Sequence, residues 1–287
     1  MDAFATLNGG PMAKLKATPR LGGRSRSRKA KLPLPDPKSP GPFRPFTSDP
    51  GWNEAWWWLG IPLVAALFVV GSYAIDAEWS RRWVTGESGI LETAQFIFMV
   101  IGFAIAAQLL FAPFVRPCPL VLAVTAVAAL ACLFIGGEEV SWGQHIFFWQ
   151  DPSLVTAVND EGELSLHNMN KGFERGPRTL LEIGVVTGGL LVPLLCAYAP
   201  WLRQSRMALF LPAAALVPAA LLAVTFKGAE MLAKYHGAGL GVAARPSEAV
   251  EYFYFFMMAY LIVFERRIGE LETEGARTKA RAKAKKT

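Results

Sequence analysis

WWWLGIPLVAALFVVGSYAI occupies residues 56–75. It carries no charge, and its length is what a helix needs to cross about 30 Å of hydrocarbon at about 1.5 Å per residue. The three tryptophans at its start suit the headgroup belt, where indoles collect. Five further apolar runs follow at 89–111, 120–135, 180–198, 207–226 and 249–264. The third is short by itself and is expected to continue through Gly136 and Gly137. Pro113, Pro117 and Pro200 punctuate helix ends, and Pro212 and Pro218 are expected to kink the fifth run, as neighbouring helices allow in a membrane.

Composition agrees with this reading. The chain is 53% hydrophobic and 18% charged, with a mean hydropathy of +0.30, whereas a soluble domain is about 45–50% apolar and about 25% charged. The expected fold is all-α: a polytopic membrane helical bundle of about six transmembrane helices, with an interfacial or re-entrant segment after the third. Residues 1–50 read as a disordered basic tail, 51–266 as the transmembrane domain (141–178 being its extracytoplasmic interfacial loop), and 267–287 as a second basic tail. The first tail includes RLGGRSRSRKAKLPLPDPKSPGPFRP (20–45), which has no apolar periodicity. Such tails suit anionic lipid at the bilayer surface. No nucleic acid partner is expected, because aromatic residues do not alternate with the basic ones. Cys118, Cys132 and Cys196 fall in or beside apolar runs without CxxC spacing, so they read as buried packing thiols.

Six crossings put both tails on one side. With that side cytoplasmic, 21 of the 29 Lys and Arg residues lie there, including Arg116, Arg203 and Arg206 in short loops. The acids distribute the other way. The 15 from Asp76 to Glu251, of 23 in the chain, fall at or near the opposite face, and so do all three histidines. Glu92, Glu138, Glu139, Glu182 and Glu251 stand at helix ends or about one turn inside them. Ionisable groups at that depth are costly, and by default they mark function. Glu182 also has a bland role, because Thr179-Leu-Leu-Glu182 matches a capping box.

The densest polar stretch is GGEEVSWGQHIFFWQDPSLVTAVNDEGELSLHN, residues 136–168. On a continuous helix Glu138, Ser141, Trp142 and His145 would share one face, spaced i, i+3, i+4 and i+7. Glu163 and His167 are spaced i, i+4 and would form an acid–base or chelating pair on a helix. A divalent metal could use Glu138, His145 and His167 as donors, although neither HExxH nor an EF-hand pattern is present. Trp142, Phe147, Phe148 and Trp149 would anchor the segment among the headgroups. GxSxG and P-loop signatures are absent.

Residues EEVSWGQ (138–144) and NDEGELSLHN (159–168) resemble the signature of a family of uncharacterised bacterial multi-pass membrane proteins. That signature reads GEE-[IV]-SWGQ, then N-x-x-[GE]-E-x-x-LHN. The resemblance implies a multi-pass protein of the bacterial inner membrane and adds no mechanism. The chain lacks the His-x-x-x-His pair of membrane ceramidase-type hydrolases, to which it is similar only in part.

The residues favour an enzyme at the periplasmic face that acts on a lipid or lipid-linked substrate. Glu138 or Glu139 would be general base or metal ligand, with His145, Glu163 and His167 as acid–base partners. Trp142, Gln144, Asn159 and Asn168 would orient substrate, with Glu92, Glu182 and Glu251 forming further walls of the pocket. A proton-coupled transporter and a non-catalytic scaffold of a membrane complex are the two alternatives. The acids cluster near one face rather than at the midplane, where carrier sites lie, which counts against the transporter. The expected topology has a direct check. Single cysteines at positions 145 and 167 should react with a membrane-impermeant maleimide from the extracytoplasmic side, and labelling from the cytoplasm would invert the assignment.

Overall fold

The computed structural model describes residues 46–85, 89–143, 147, 179–236 and 246–285. Among them every regular element is helical. The six principal helices are α1 (Trp56–Ile75), α2 (Ile90–Leu109), α3 (Pro119–Glu139), α4 (Thr179–Tyr198), α5 (Val217–His236) and α6 (Pro246–Ala284). Five candidate spans are long and apolar enough to cross a membrane: α1 to α4, and Met207–Ala233, which contains most of α5. Their outer faces expose Val64, Leu67, Val127, Leu130 and Leu194. A water-soluble surface rarely tolerates apolar patches of that extent. The fold is that of a membrane-embedded all-α bundle.

The sixth apolar run lies on α6, which is the post of the bundle. From Tyr252 to Phe264 no residue of α6 is exposed, and a helix that is apolar all round belongs in a core. It packs lengthwise along α2 and α5, while α3 packs on α2 and α4 on α5. Phe98 meets Phe255 edge-on, Phe226 stacks on Tyr252, and Phe210 stacks on Phe264. The aromatic run in α6 is therefore packing, as its composition suggests.

Helices approach closely where side chains are small, because dispersion contacts drive association in lipid. The buried stripe of α2 is Leu91, Gln95, Met99, Gly102, Ala106 and Leu109. That of α3 is Val121, Thr125, Ala129, Cys132 and Gly136. Both repeat at helical spacing. A Cβ at Gly102 would stand 2.9 Å from Cys132 Sγ, and one at Gly189 would stand 2.4 Å from Ala220 and 2.8 Å from Phe256. All three cysteines are buried and free.

The fifth helix differs from its sequence reading. Pro212 lies in a break rather than a kink, between short 3-10 turns at Arg206–Leu209 and Ala214–Leu216. The helix itself then runs ten residues beyond Phe226. Lys227 and Glu230 stand three apart and pair at 3.4 Å, and Lys227 also meets Glu182 at 2.9 Å, so these charges do not end the helix. The three opening tryptophans also separate. Trp56 is exposed, but Trp57 and Trp58 are buried and donate to Glu54 (2.9 Å) and to the Gly51 carbonyl (3.1 Å).

One end of the bundle is closed by a polar clasp. Arg267, 4% exposed, donates to both oxygens of Asp49 at 2.6 and 2.7 Å and to the carbonyls of Ala208, Leu209 and Leu211. Arg266 donates to Glu54 at 2.6 Å and lies over the Trp57 ring. Glu270 accepts from the Thr47 and Ser48 backbone N–H groups, and Glu272 from that of Phe114. The chain entering α1, the α2–α3 and α4–α5 connections and the far part of α6 thus meet at one end. These are the segments that charge counting groups on one side. Residues 46–50, grouped with the tail by composition, are part of this packing. So is the stretch just past position 266, because α6 runs on without a break.

The Trp57 indole N–H, followed by Arg266, holds the Glu54 carboxyl below its ordinary range. Burial alone would raise Glu270, but hydrogen bonds from Ser48 and Thr47 bring it below its ordinary value. Both folded pKa values are lowered. Their contribution is therefore present above the unfolded carboxylate pKa of about 4.3 and fades as pH falls through the folded values. Asp49→Ala should lower the unfolding free energy by about 3 kcal/mol, because it strands a buried guanidinium. Arg266→Ala, on a partly exposed pair, should change it by about 1 kcal/mol or less. Reversible denaturation in mixed micelles measures both.

Candidate functional site

The end of the bundle opposite the clasp carries the acids. The site is built at the point where α3 stops. In the sequence GGEEVSWG (136–143) the helix ends at Glu139, and Val140 leaves helical geometry. Ser141 (φ 44°), Trp142 (φ 51°) and Gly143 (φ 94°) then take left-handed backbone in succession. For Ser and Trp this costs roughly 1–2 kcal/mol each, and strain of this kind concentrates at functional turns. The Gly143 N–H closes the turn on the Val140 carbonyl at 2.8 Å.

This turn corrects one expectation. Glu138, Ser141 and Trp142 do not lie along a continuous helix, because the helix is broken between Glu139 and Ser141. Trp142 still reaches Glu138, by folding back. Its indole N–H donates to Glu138 Oε1 at 2.5 Å, and its ring meets Phe134 edge-on. Gly137 makes this possible, since a Cβ there would stand 2.9–3.0 Å from three atoms of the indole. Gly136 lets α2 come close, since a Cβ there would stand 3.0 Å from that of Met99.

The two adjacent glutamates serve different partners. Glu138 is 7% exposed and is held by Trp142. Glu139 accepts from the Tyr254 hydroxyl of α6 at 2.7 Å. Consecutive residues on a helix diverge by about 100°, which lets the two carboxylates take these different partners.

A second polar group lies across α6. Glu182 of α4, Lys227 and the buried Glu230 of α5 form a charged row beside Phe226, which stacks on Tyr252. Tyr252 and Tyr254 are two residues apart, hence about 200° apart around α6. Among the described residues, the Tyr254–Glu139 contact and the Glu182–Lys227–Glu230 row thus lie toward different faces of the central helix. Glu92 is half-buried in the first turn of α2, one turn before the buried Gln95. Glu251 lies on α6, one residue before Tyr252.

Gln144, His145, Asn159, Glu163, His167 and Asn168 lie outside the described residues. Among the described residues no group of three His, Cys, Asp or Glu side chains is arranged to hold a metal ion.

Tyr254 and Lys227 were not among the candidate site residues, nor was Glu230, yet the structure places them beside those that were. The i, i+3 spacing of Lys227 and Glu230 in a stretch with helical periodicity was the available signal. Tyr254 has none, since it sits in a YFYFF run that looks like packing alone. Comparison of the chain with family models, with curated proteins and with solved structures finds no match.

The folded-back indole can be tested. In protein labelled with 5-fluorotryptophan, the Trp142 resonance, assigned by its loss in Trp142→Phe, should shift strongly in Gly137→Ala. It should move little in Glu138→Gln, which keeps an acceptor oxygen. A Trp142 resonance indifferent to Gly137→Ala would contradict the contact.

Proposed function

We propose that this protein is a membrane enzyme whose site lies at the extracytoplasmic end of the bundle and whose substrate is a lipid or lipid-linked molecule. The observation that carries the reading is Glu138: a carboxylate 7% exposed, at the end of a membrane-length helix, held by a turn of three left-handed residues. A helix cap requires neither the burial nor the strain. Strained backbone and buried ionisable groups at membrane depth are both features of working sites.

In this reading Glu138 is the general base or a metal ligand, and the Trp142 N–H occupies its Oε1 until the indole moves away. Glu139 is positioned by Tyr254. His145, Glu163 and His167 supply the acid–base partners, and a divalent metal, where one is used, takes Glu138, His145 and His167 as its donors. Both termini lie on the cytoplasmic side of the bacterial inner membrane, where the basic tails meet anionic lipid. The clasp supports a common side for the two ends of the described chain, since Thr47, Ser48 and Asp49 bond to Arg267 and Glu270.

Lipid mass spectrometry of a deletion strain tests the proposal without a prior guess at substrate. A lipid species should accumulate in the deletion, disappear on return of the wild-type chain, and persist with Glu138→Gln or His145→Ala. Identical lipid profiles in all four strains would remove the enzyme reading and favour the scaffold.

A further inference from the structure

Between α2 and α3, directly beneath Trp142, lies a cavity of about 160 Å³. Its walls include Phe96, Val100 and Phe103 of α2, Leu133 and Gly137 of α3, and the Trp142 indole at one end. We propose that this slot seats one acyl chain of a bilayer lipid and delivers the headgroup end of that chain to Glu138. The tie to Glu138 rests on the lipid-substrate reading above; the seat itself does not.

Four observations on the molecule support the occupant. First, the slot is at hydrocarbon depth between two membrane-length helices, and it opens sideways past Val100 and Leu133, which are 47% and 46% exposed on the lipid-facing surface. Second, its lining residues offer only apolar side chains, a thiol, glycine backbone and the face of an indole. An apolar cavity of about 150 Å³ stays dry and takes up a hydrocarbon the size of benzene, so this volume suits a short length of alkyl chain and not water. Third, the slot is elongated along the helices. Residues 96–103 on α2 and 133–140 on α3 each span on the order of 10 Å at about 1.5 Å per residue. A bilayer acyl chain runs in that direction, and a second helix, about 10 Å across, is too wide for the space.

Fourth, the polar end is built. Gly136 and Gly137 leave the slot floored by backbone, and a side chain at Gly137 would expel Trp142. Trp142 closes the slot with its ring and bonds Glu138 with its N–H. One residue thus touches both the apolar seat and the carboxylate. A chain entering beneath the indole pushes on the group that holds Glu138, which couples substrate arrival to release of the carboxylate.

The test uses the full-length chain in nanodiscs containing a phospholipid with a diazirine in its acyl chain. After irradiation, peptides are mapped by mass spectrometry. Label should fall on residues 96–103 and 133–142 several-fold above that on Val127 and Leu130, which are more exposed on α3 at 65% and 66%. Leu133→Trp fills the slot from a half-exposed position and should bring slot labelling down to the Val127 and Leu130 level. Val100→Phe, from the facing wall, should do the same and serves where Leu133→Trp is poorly produced. Even labelling of α3, or slot labelling untouched by both substitutions, would overturn the seat. Labelling is read on Glu138→Gln as well. A slot that labels normally in protein without effect on the lipid profile would uphold the seat while the enzyme reading fails.

Discussion

A buried guanidinium has to be matched in charge and in hydrogen bonds, and Arg267 of α6 is matched by two separate parts of the chain. Asp49 precedes α1, and the carbonyls of residues 208, 209 and 211 belong to the connection before α5. Leaving that charge unmet would cost several kcal/mol, so the segments that meet it are held in register with α6. Glu54, Glu270 and Glu272 repeat the pattern around it with weaker, more exposed contacts. The far end of the bundle inherits this order. Because α6 is continuous from Pro246 to Ala284, fixing it at the clasp also fixes Tyr252 and Tyr254, and through Tyr254 the carboxylate of Glu139.

Much of the fold was legible because hydrocarbon imposes its own length. Long apolar runs have few alternatives: those at 56–75, 89–111 and 180–198 became helices within two residues at each end, and the run at 120–135 continues through the glycines to Glu139, as expected. The clasp was not legible. Asp49, Glu54, Arg266 and Arg267 look like ordinary charges flanking membrane spans, and only tertiary placement joins residues more than two hundred apart. The length of α5 was hidden for a related reason. Lys227 and Glu230 read as the end of an apolar run, yet each offsets the other's burial cost and Glu182 shares in it.

At the candidate site the helix expected to continue from Glu138 breaks after Glu139 instead. Helical spacing implied that Trp142 and Glu138 share a face, and they do meet, but through a left-handed turn that no periodicity rule anticipates in Ser-Trp. The glycines are the part of the motif that carries this information. Gly136 admits Met99 and Gly137 admits the indole, so GG before EE is a packing requirement. That Tyr254 meets Glu139 while Tyr252 stacks on Phe226 follows from the helical twist of α6, which a count of charges by depth has no means to express.

The central claim is that α6 is the buried post on which both ends depend. Hydrogen–deuterium exchange of the full chain in nanodiscs, resolved by peptide, tests it most directly. The amides of residues 252–268 should be the slowest in the protein and should exchange later than those of α1, whose outer face is exposed to lipid along Val64, Leu67 and Val70. In Asp49→Ala that protection should fall first at the Arg267 end and then extend toward Tyr254. Exchange in residues 252–268 as fast as in α1, or protection there untouched by loss of Asp49, would contradict the account.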